Sequence, residues 1–275
     1  MSQRLCGRIR AGKSLPIHIG KDTSMNTYLT SRIDVKACLR ATADTVITLL
    51  FPRRCPVCDE PVKPWHALVC SECTPKLSYI EPPYCLKCGK HIGNCEKEYC
   101  ADCTAHPHLF DSGRALFSYR SISASIARFK YRGRREYAAC YASCMADHLG
   151  AFIASCKADA LVPVPLHKSR LKKRGYNQAQ VLAEELSACT GIPVRSDLIE
   201  RTKKTVPMKE LSAAERQNNL KKAFKMRYND VELNIIIIVD DIYTTGSTID
   251  AVCREFKKAG VERIYFISLA IGSGV

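Results

Sequence analysis

Ile236-Ile237-Ile238-Val239-Asp240-Asp241-Ile242-Tyr243-Thr244-Thr245-Gly246-Ser247-Thr248 joins an apolar run to two adjacent carboxylates and a loop of small hydroxyl-bearing residues. The unbroken β-branched stretch from Ile235 to Val239 suits a strand covered on both faces of a parallel sheet. Its acids fall at the carboxyl end, where open α/β sheets bind their ligands. Thr244 to Thr248 can turn backbone N–H groups and hydroxyls onto a phosphate, helped by the positive end of the following helix. Asp240 and Asp241 are acceptors and repel phosphate, so they suit the vicinal hydroxyls of a ribose, directly or through Mg²⁺. The combination is chemistry for holding a phosphorylated sugar. A solvated turn with Asp and Thr as mere caps accounts for the threonines but leaves two carboxylates on so apolar a strand unexplained.

This pattern resembles the PRPP (5-phosphoribosyl diphosphate) motif of type I phosphoribosyltransferases: four apolar residues, two acids, two free positions, then Thr-Thr-Gly-x-Thr. The surrounding sequence predicts a matching α/β fold with a mostly parallel sheet. Strands are expected over Arg114 to Tyr119, Ala160 to Val164, Ile235 to Val239 and Ile264 to Ala270. Helices are expected over Ser121 to Lys130, Tyr137 to Cys156, Asn177 to Ala188 (closed by Gly191) and Thr248 to Lys258 (closed by Gly260). Ser212 to Glu215 reads as a capping box opening another helix. Right-handed βαβ crossovers then bring the functional loops to one sheet edge.

Sixteen cysteines occur among 275 residues, and eight of them form four Cys-x-x-Cys pairs: Cys55/Cys58, Cys70/Cys73, Cys85/Cys88 and Cys100/Cys103. Each pair can present two thiolates to a tetrahedral Zn²⁺, and two pairs complete one closed Cys₄ site. Sequential pairing gives a double zinc ribbon with structural zinc; spacing alone leaves an interleaved pairing, and one or two ions, open. A disulfide scaffold, a redox pair and a catalytic zinc are the competing readings, the last opposed by a closed Cys₄ shell. Gly89 follows Cys88 where the turn needs positive φ. Cys95, His91, His106 and His108 lie nearby as alternative ligands but read as bystanders. The remaining cysteines, among them Cys140, Cys144, Cys156, Cys189 and Cys253, read as small helix residues.

The expected organisation is a disordered arm over 1–30, a helix over 31–54, the double ribbon over 55–108 and an α/β domain over 109–275. Met25 is a candidate start. Val35 to Leu50 carries a helical apolar face. Gly7 to Ser14 spells out a P-loop pattern, but no strand precedes it and Pro16 follows, so it is rejected. No signal peptide or membrane-spanning run is read, and a reducing, cytoplasmic protein without membrane insertion is expected.

The net charge is +15, so the surface field attracts anions. Lys168, Arg170, Lys172, Lys173 and Arg174 follow a strand end, where they can receive pyrophosphate or run outward as a nucleic-acid track. Lys130, Arg132, Arg134 and Arg135 form a second basic group beside Tyr131 and Tyr137, a mixture that suits single-stranded nucleic acid and equally a solvated basic helix face.

Taken with the ribbons, Pro163-Val164-Pro165-Leu166-His167-Lys168-Ser169-Arg170-Leu171-Lys172-Lys173-Arg174-Gly175-Tyr176-Asn177-Gln178-Ala179 makes the chain similar to the ComF/ComFC competence family from about Leu49 onward. Lys130 to Arg134, Arg201-Thr202, Leu211 to Arg216, Asn219 and Ala223-Phe224 carry the same resemblance. It implies a zinc ribbon joined to a phosphoribosyltransferase-like domain, and a role in DNA uptake in natural transformation. The implied site comprises Asp240 and Asp241 as the catalytic pair, and Thr244, Thr245, Gly246, Ser247, Thr248, Lys168, Arg170 and Arg174 around PRPP with Mg²⁺. The segment from Arg201 to Leu211 would close over it. Single-stranded DNA and other competence or DNA-processing proteins are the implied partners. A metabolic phosphoribosyltransferase acting on an unidentified nucleobase is the alternative, and catalysis itself is left open. The chain departs from the family pattern at Met208, where Gln is expected, so any ligand contact that such an amide makes in relatives has no counterpart there.

Overall fold

The structure is a computed structural model that describes residues 52–64, 67–93, 96–202, 223–227 and 232–272. The arm over 1–30, the helix expected over 35–50, the P-loop-like segment, Cys95, the loop after Thr202 with Met208, and the capping box at 212–215 lie outside the described residues.

Downstream of a short helix α1 (Ala101–Ala105), the chain runs β1 (Ser112–Ser118), α2 (Tyr119–Tyr131), α3 (Tyr137–Cys156) and β2 (Ala160–Pro163). It continues through α4 (Lys168–Arg174), α5 (Gln178–Thr190), β3 (Ile199–Arg201), β4 (Phe224–Met226), β5 (Ile235–Tyr243), α6 (Ser247–Lys258) and β6 (Arg263–Ile271). Strands β1, β6, β5 and β2 lie in that order in one sheet, and every pair is parallel. β3 and β4 form a separate antiparallel pair that the sequence reading did not place. Asn177 caps the start of α5 through a bond from Ala179 N, and Gly191 with φ +75° ends it, as expected.

An all-parallel sheet must be covered on both faces, and β5 shows how this is done. Ile236 and Ile238 enter one core with Val162, Phe266, Val252, Cys253 and Phe256; Ile237 and Val239 enter the other with Leu161, Tyr141, Leu182 and Leu186. The alternation is the two-residue period of a strand. Helices α2, α3 and α5 cover the second face. On the first, α6 buries Ile249, Val252, Cys253 and Phe256 at helical spacing, and further cover comes from Leu198, Ile199, Ala223 and Phe224 around the β3–β4 pair and from Cys85, Cys88, Cys100 and Phe110. The second group of four cysteines and the sheet therefore share one core.

Close approach makes that cover work. Gly89 adopts φ +74°, as the sequence predicted, and a Cβ on it would lie 2.6 Å from the Gly113 carbonyl. Gly113 N in turn donates to Lys87 O at 2.8 Å, while a Cβ at Gly113 would fall 2.1 Å from the Phe266 ring. Gly113→Ala must displace a fully buried aromatic ring, and a loss on the order of 3 kcal/mol is expected, read as a lowered midpoint in chemical denaturation. An unchanged midpoint would contradict this packing.

Candidate functional site

The Cys-rich region forms two tetrathiol clusters. Cys55, Cys58, Cys70 and Cys73 make one, Cys85, Cys88, Cys100 and Cys103 the other, each with its sulfurs within 4.8 Å of one another. The pairing is sequential, and the interleaved alternative is not what the chain adopts. Cys88 and Cys100 sulfurs are 3.7 Å apart, close to the ~3.8 Å edge of a tetrahedron with Zn–S ~2.3 Å. The two halves repeat a local device: Asp59 N donates to Cys55 O at 2.8 Å and Gly89 N to Cys85 O at 2.9 Å, each in a left-handed turn. The bond shared with Cys103 draws the Cys88 thiol down to about 5 and pushes the Cys103 thiol up. Four such sulfurs cannot all ionise without a cation among them, so the donor set fits structural zinc in a closed shell. His91 instead meets the Glu81 carbonyl at 2.9 Å, and His106 is exposed.

At the carboxyl end of the sheet, β5 extends four residues beyond the apolar run. Asp240, Ile242 and Tyr243 remain in register with Ser268, Ala270 and Ile271 of β6, so the acids lie on the strand instead of after it. Alternation then separates the two carboxylates. Asp241 forms an ion pair with Lys130 at the end of α2, Nζ to Oδ1 2.8 Å, with only 14% and 15% of the two side chains exposed. Asp240 accepts the Asp241 N–H at 2.8 Å and shares its field with Arg201 of β3. Burial, reinforced by the Asp241 charge and opposed by that N–H, Lys130 and Arg201, pushes the Asp240 carboxyl up to about 7.

Thr244 and Thr245 are exposed beyond the acids, and Gly246 turns into α6 with φ +74°. Thr245 and Ser247 hydroxyls are 2.8 Å apart, and Asp250 N donates to Gly246 O at 2.8 Å. A side chain at Gly246 would strike His108 Cε1 and the Tyr243 hydroxyl, each 2.7 Å from the Cβ position. His108, read from sequence as a bystander, therefore forms the back wall of this loop. Its Nδ1 is 2.8 Å from Asp250 Oδ2, and Leu109 N donates to Asp250 Oδ1 at 2.9 Å. The residues leaving the second tetrathiol cluster thus hold the first turn of α6.

The basic helix comes next to the acids because β2 is the neighbour of β5. Val164 N donates to Val239 O, and Asn177 Nδ2 holds Val164 O, which seats α4 at that strand end. Lys168 is exposed there. Arg201 is pressed down to about 10 by burial and then by the charge of Arg170, with Arg174 adding to it and Asp240 opposing. The guanidinium of Arg201 also lies over the Phe224 ring, 5.2 Å from its centroid. Arg174 donates to Gln178 Oε1 at the start of α5, 2.8 Å, and stacks 5.0 Å above the Tyr131 ring at the end of α2. Lys130 and Arg201 were quoted in the sequence as parts of a resemblance, with no contact to the acids foreseen; only the packing of α2 and of the β3–β4 pair brings them there.

The first tetrathiol cluster holds a different part of the same edge. Arg128 donates to the Pro56 and Val57 carbonyls at 3.0 and 2.9 Å, while Arg134 and the Tyr137 hydroxyl meet Asp59 Oδ1 at 2.9 and 2.6 Å. These contacts clamp the turn between α2 and α3 that carries Lys130 and Tyr131. Because cluster one has its own small core around Val62 and cluster two belongs to the sheet core, their loss should differ. Two zinc ions per chain are expected by elemental analysis; Cys88→Ala should remove one and lower thermal stability more than Cys55→Ala, which also removes one. Equal destabilisation would contradict the separation of the cores.

Residues 46–104 match the double zinc ribbon domain and residues 171–272 the phosphoribosyl transferase domain. The chain is 40% identical over 114 residues to Competence protein F of Haemophilus influenzae, covering 41% of this chain and 50% of that protein. It is 30% identical over 154 residues to Competence protein ComFC of Bacillus subtilis, covering 55% and 60%. It is 35% identical over 106 residues to DNA utilization protein YhgH of Escherichia coli, covering 38% and 46%. The chain thus spans roughly half the length of the relatives it matches. With two Cys₄ clusters followed by a parallel sheet of phosphoribosyltransferase type, and with these relatives, the chain belongs to the ComF/ComFC competence family.

Proposed function

We propose that the carboxyl edge of the sheet binds a phosphoribosyl compound, PRPP or a phosphoribosyl nucleotide, and that the protein couples this binding to the handling of single-stranded DNA during DNA uptake. One observation carries the reading: an acid pair ends β5 immediately before a hydroxyl-rich turn at a helix start, with a basic helix seated on the neighbouring strand end. In this reading Thr244, Thr245, Ser247 and Thr248, with the amides after Gly246, hold the 5-phosphate. Asp240 and Asp241 orient the ribose hydroxyls, and Lys168 and Arg170 face the diphosphate, while Arg174, expected there from the sequence, is engaged with Gln178 and Tyr131. If a nitrogen nucleophile displaces that diphosphate, the same cations stabilise the charge that leaves and the acids the cationic ribosyl centre. Among the described residues no helix is long and apolar enough to cross a membrane.

A resident Mg²⁺ needs several oxygen donors in near-octahedral array. Asp241 is already paired with Lys130, and an Asp240 oxygen accepts a backbone N–H, so the acid pair does not fit as a standing divalent site.

Calorimetric titration with PRPP tests the reading. The wild type should bind, and Asp240→Asn with Asp241→Asn should weaken binding by at least about tenfold. The sign of the pH dependence follows from the raised Asp240 carboxyl. Hydroxyl binding needs the carboxylate, so below about 7 a proton must leave first, and affinity should rise as pH increases from 5 to 8. The part of that slope due to Asp240 should vanish in Asp240→Asn. Absence of PRPP binding across this range would sink the proposal.

The DNA part is supported by the names of the relatives and by one surface. Tyr131 is 65% exposed, with Arg174 stacked on its ring and exposed Arg132, Lys172 and Lys173 close by in the sequence of α2 and α4. An aromatic ring among cations can stack a base while the cations meet phosphates. Tyr131→Ala should weaken oligonucleotide binding by about tenfold with little change in salt slope, whereas Lys172→Ala with Lys173→Ala should reduce the slope. A flat salt response in the wild type would exclude this surface.

A further inference from the structure

We infer that Lys130 is a built-in counter-cation for the acid pair, so that this site binds the ribose 5-phosphate moiety without a divalent metal at its carboxylates. The inference rests on the phosphoribosyl reading and goes beyond it by assigning the cation that serves the acids. The Lys130 ammonium lies 2.8 Å from Asp241 Oδ1, and both side chains are largely withdrawn from solvent. A flexible surface lysine that met a carboxylate by chance would keep its head in water. Lys130 is instead placed by its neighbours. Phe129 beside it is fully buried, and the turn that follows it is clamped by the first tetrathiol cluster through Arg128, Arg134 and Tyr137.

Electrostatics point the same way. Among the described residues, the charged groups acting on Asp240 include Asp241, Lys130 from α2 and Arg201 from β3, and Lys130 also pairs with Asp241. Two carboxylates side by side at a partly buried strand end repel, and one counter-charge is needed to keep them accepting hydroxyl hydrogens. Lys130 supplies it, leaving the second Asp241 oxygen and the outer edge of Asp240 to accept from a diol. A divalent ion bound to the same oxygens would have to displace the ammonium or sit beside it, and like charges at that separation in a low-dielectric site are costly. Metal carried on a diphosphate lies outside this inference, because it is bound by the ligand's own oxygens.

Ribose 5-phosphate separates the two, since it has the phosphate and the diol but no diphosphate. Calorimetry with the full chain, zinc retained, compares metal-free buffer with millimolar Mg²⁺. The wild type should bind in both with affinities within about twofold. Lys130→Met keeps the apolar stem of the side chain and removes the ammonium; it should lose about tenfold in Mg²⁺-free buffer and recover with Mg²⁺, while Lys130→Arg should behave as the wild type does. Wild-type binding that requires Mg²⁺ overturns the inference, as does a Lys130→Met protein that retains zinc and binds normally without metal. The wild-type comparison decides the matter even if the methionine variant does not fold. Failure of both ribose 5-phosphate and PRPP to bind the wild type in either buffer removes the phosphoribosyl reading and this inference with it, whereas Mg²⁺-dependent binding removes the inference alone.

Discussion

A sheet of four parallel strands has two apolar faces and no tolerance for leaving either wet. Helices α2, α3 and α5 solve this for one face in the usual way. On the other, α6 shares the cover with the β3–β4 pair and the second tetrathiol cluster, whose Cys85, Cys88 and Cys100 are buried in the same core as Phe224, Phe256 and Phe266. Much else follows from that constraint. Gly89 is needed because the knuckle lies against β1 at backbone distance, and Gly113 because the Phe266 ring of β6 fills the space a Cβ would take. Phe110 and His108 are delivered to the front of the sheet because the chain must pass from the cluster into β1.

The two ribbons therefore act as more than an appended module. The second reaches the loop from Thr244 to Thr248 through His108 and Asp250, fixing the first turn of α6 and the back of Gly246. The first reaches the α2–α3 turn through Asp59, and with it Lys130 and Tyr131. Each ribbon braces one side of the sheet's carboxyl edge. Metal-dependent folding energy in such clusters, on the order of 10 kcal/mol, is large compared with the few kcal/mol that hold a loop in place. Metal loading and site geometry are physically linked for that reason.

The acid pair shows a conflict between folding and chemistry. Burial raises the Asp240 carboxyl to about 7, so the fold is less stable with Asp240 ionised than with it protonated, and this cost grows as pH rises from the unfolded value of 3.8 through about 7. The neighbouring Asp241 charge adds to it. A residue arranged purely for stability would not be placed so. Lys130, Arg201 and the Asp241 N–H offset the cost without abolishing it, which leaves a carboxylate ready for hydrogen donors.

The amino-acid sequence alone determined what is local or periodic. Five consecutive apolar residues specify a buried strand, Asn177 and Gly191 specify the ends of α5, and four Cys-x-x-Cys pairs specify knuckles, because each signal acts over a few residues of backbone. The presence of acids, hydroxyls and cations near strand ends was legible for the same reason. Tertiary structure decided everything that depends on which distant surfaces meet. It paired the knuckles sequentially, extended β5 through its acids by register with β6, and formed the β3–β4 pair from three-residue strands too short to show a period. It turned Asp241 to Lys130 and Asp240 toward Arg201, and it made His108 a wall of the loop. Those contacts span up to about 140 residues, and no local propensity encodes them; they exist because the parallel sheet forces its crossovers and its metal-bearing cover to converge on one edge.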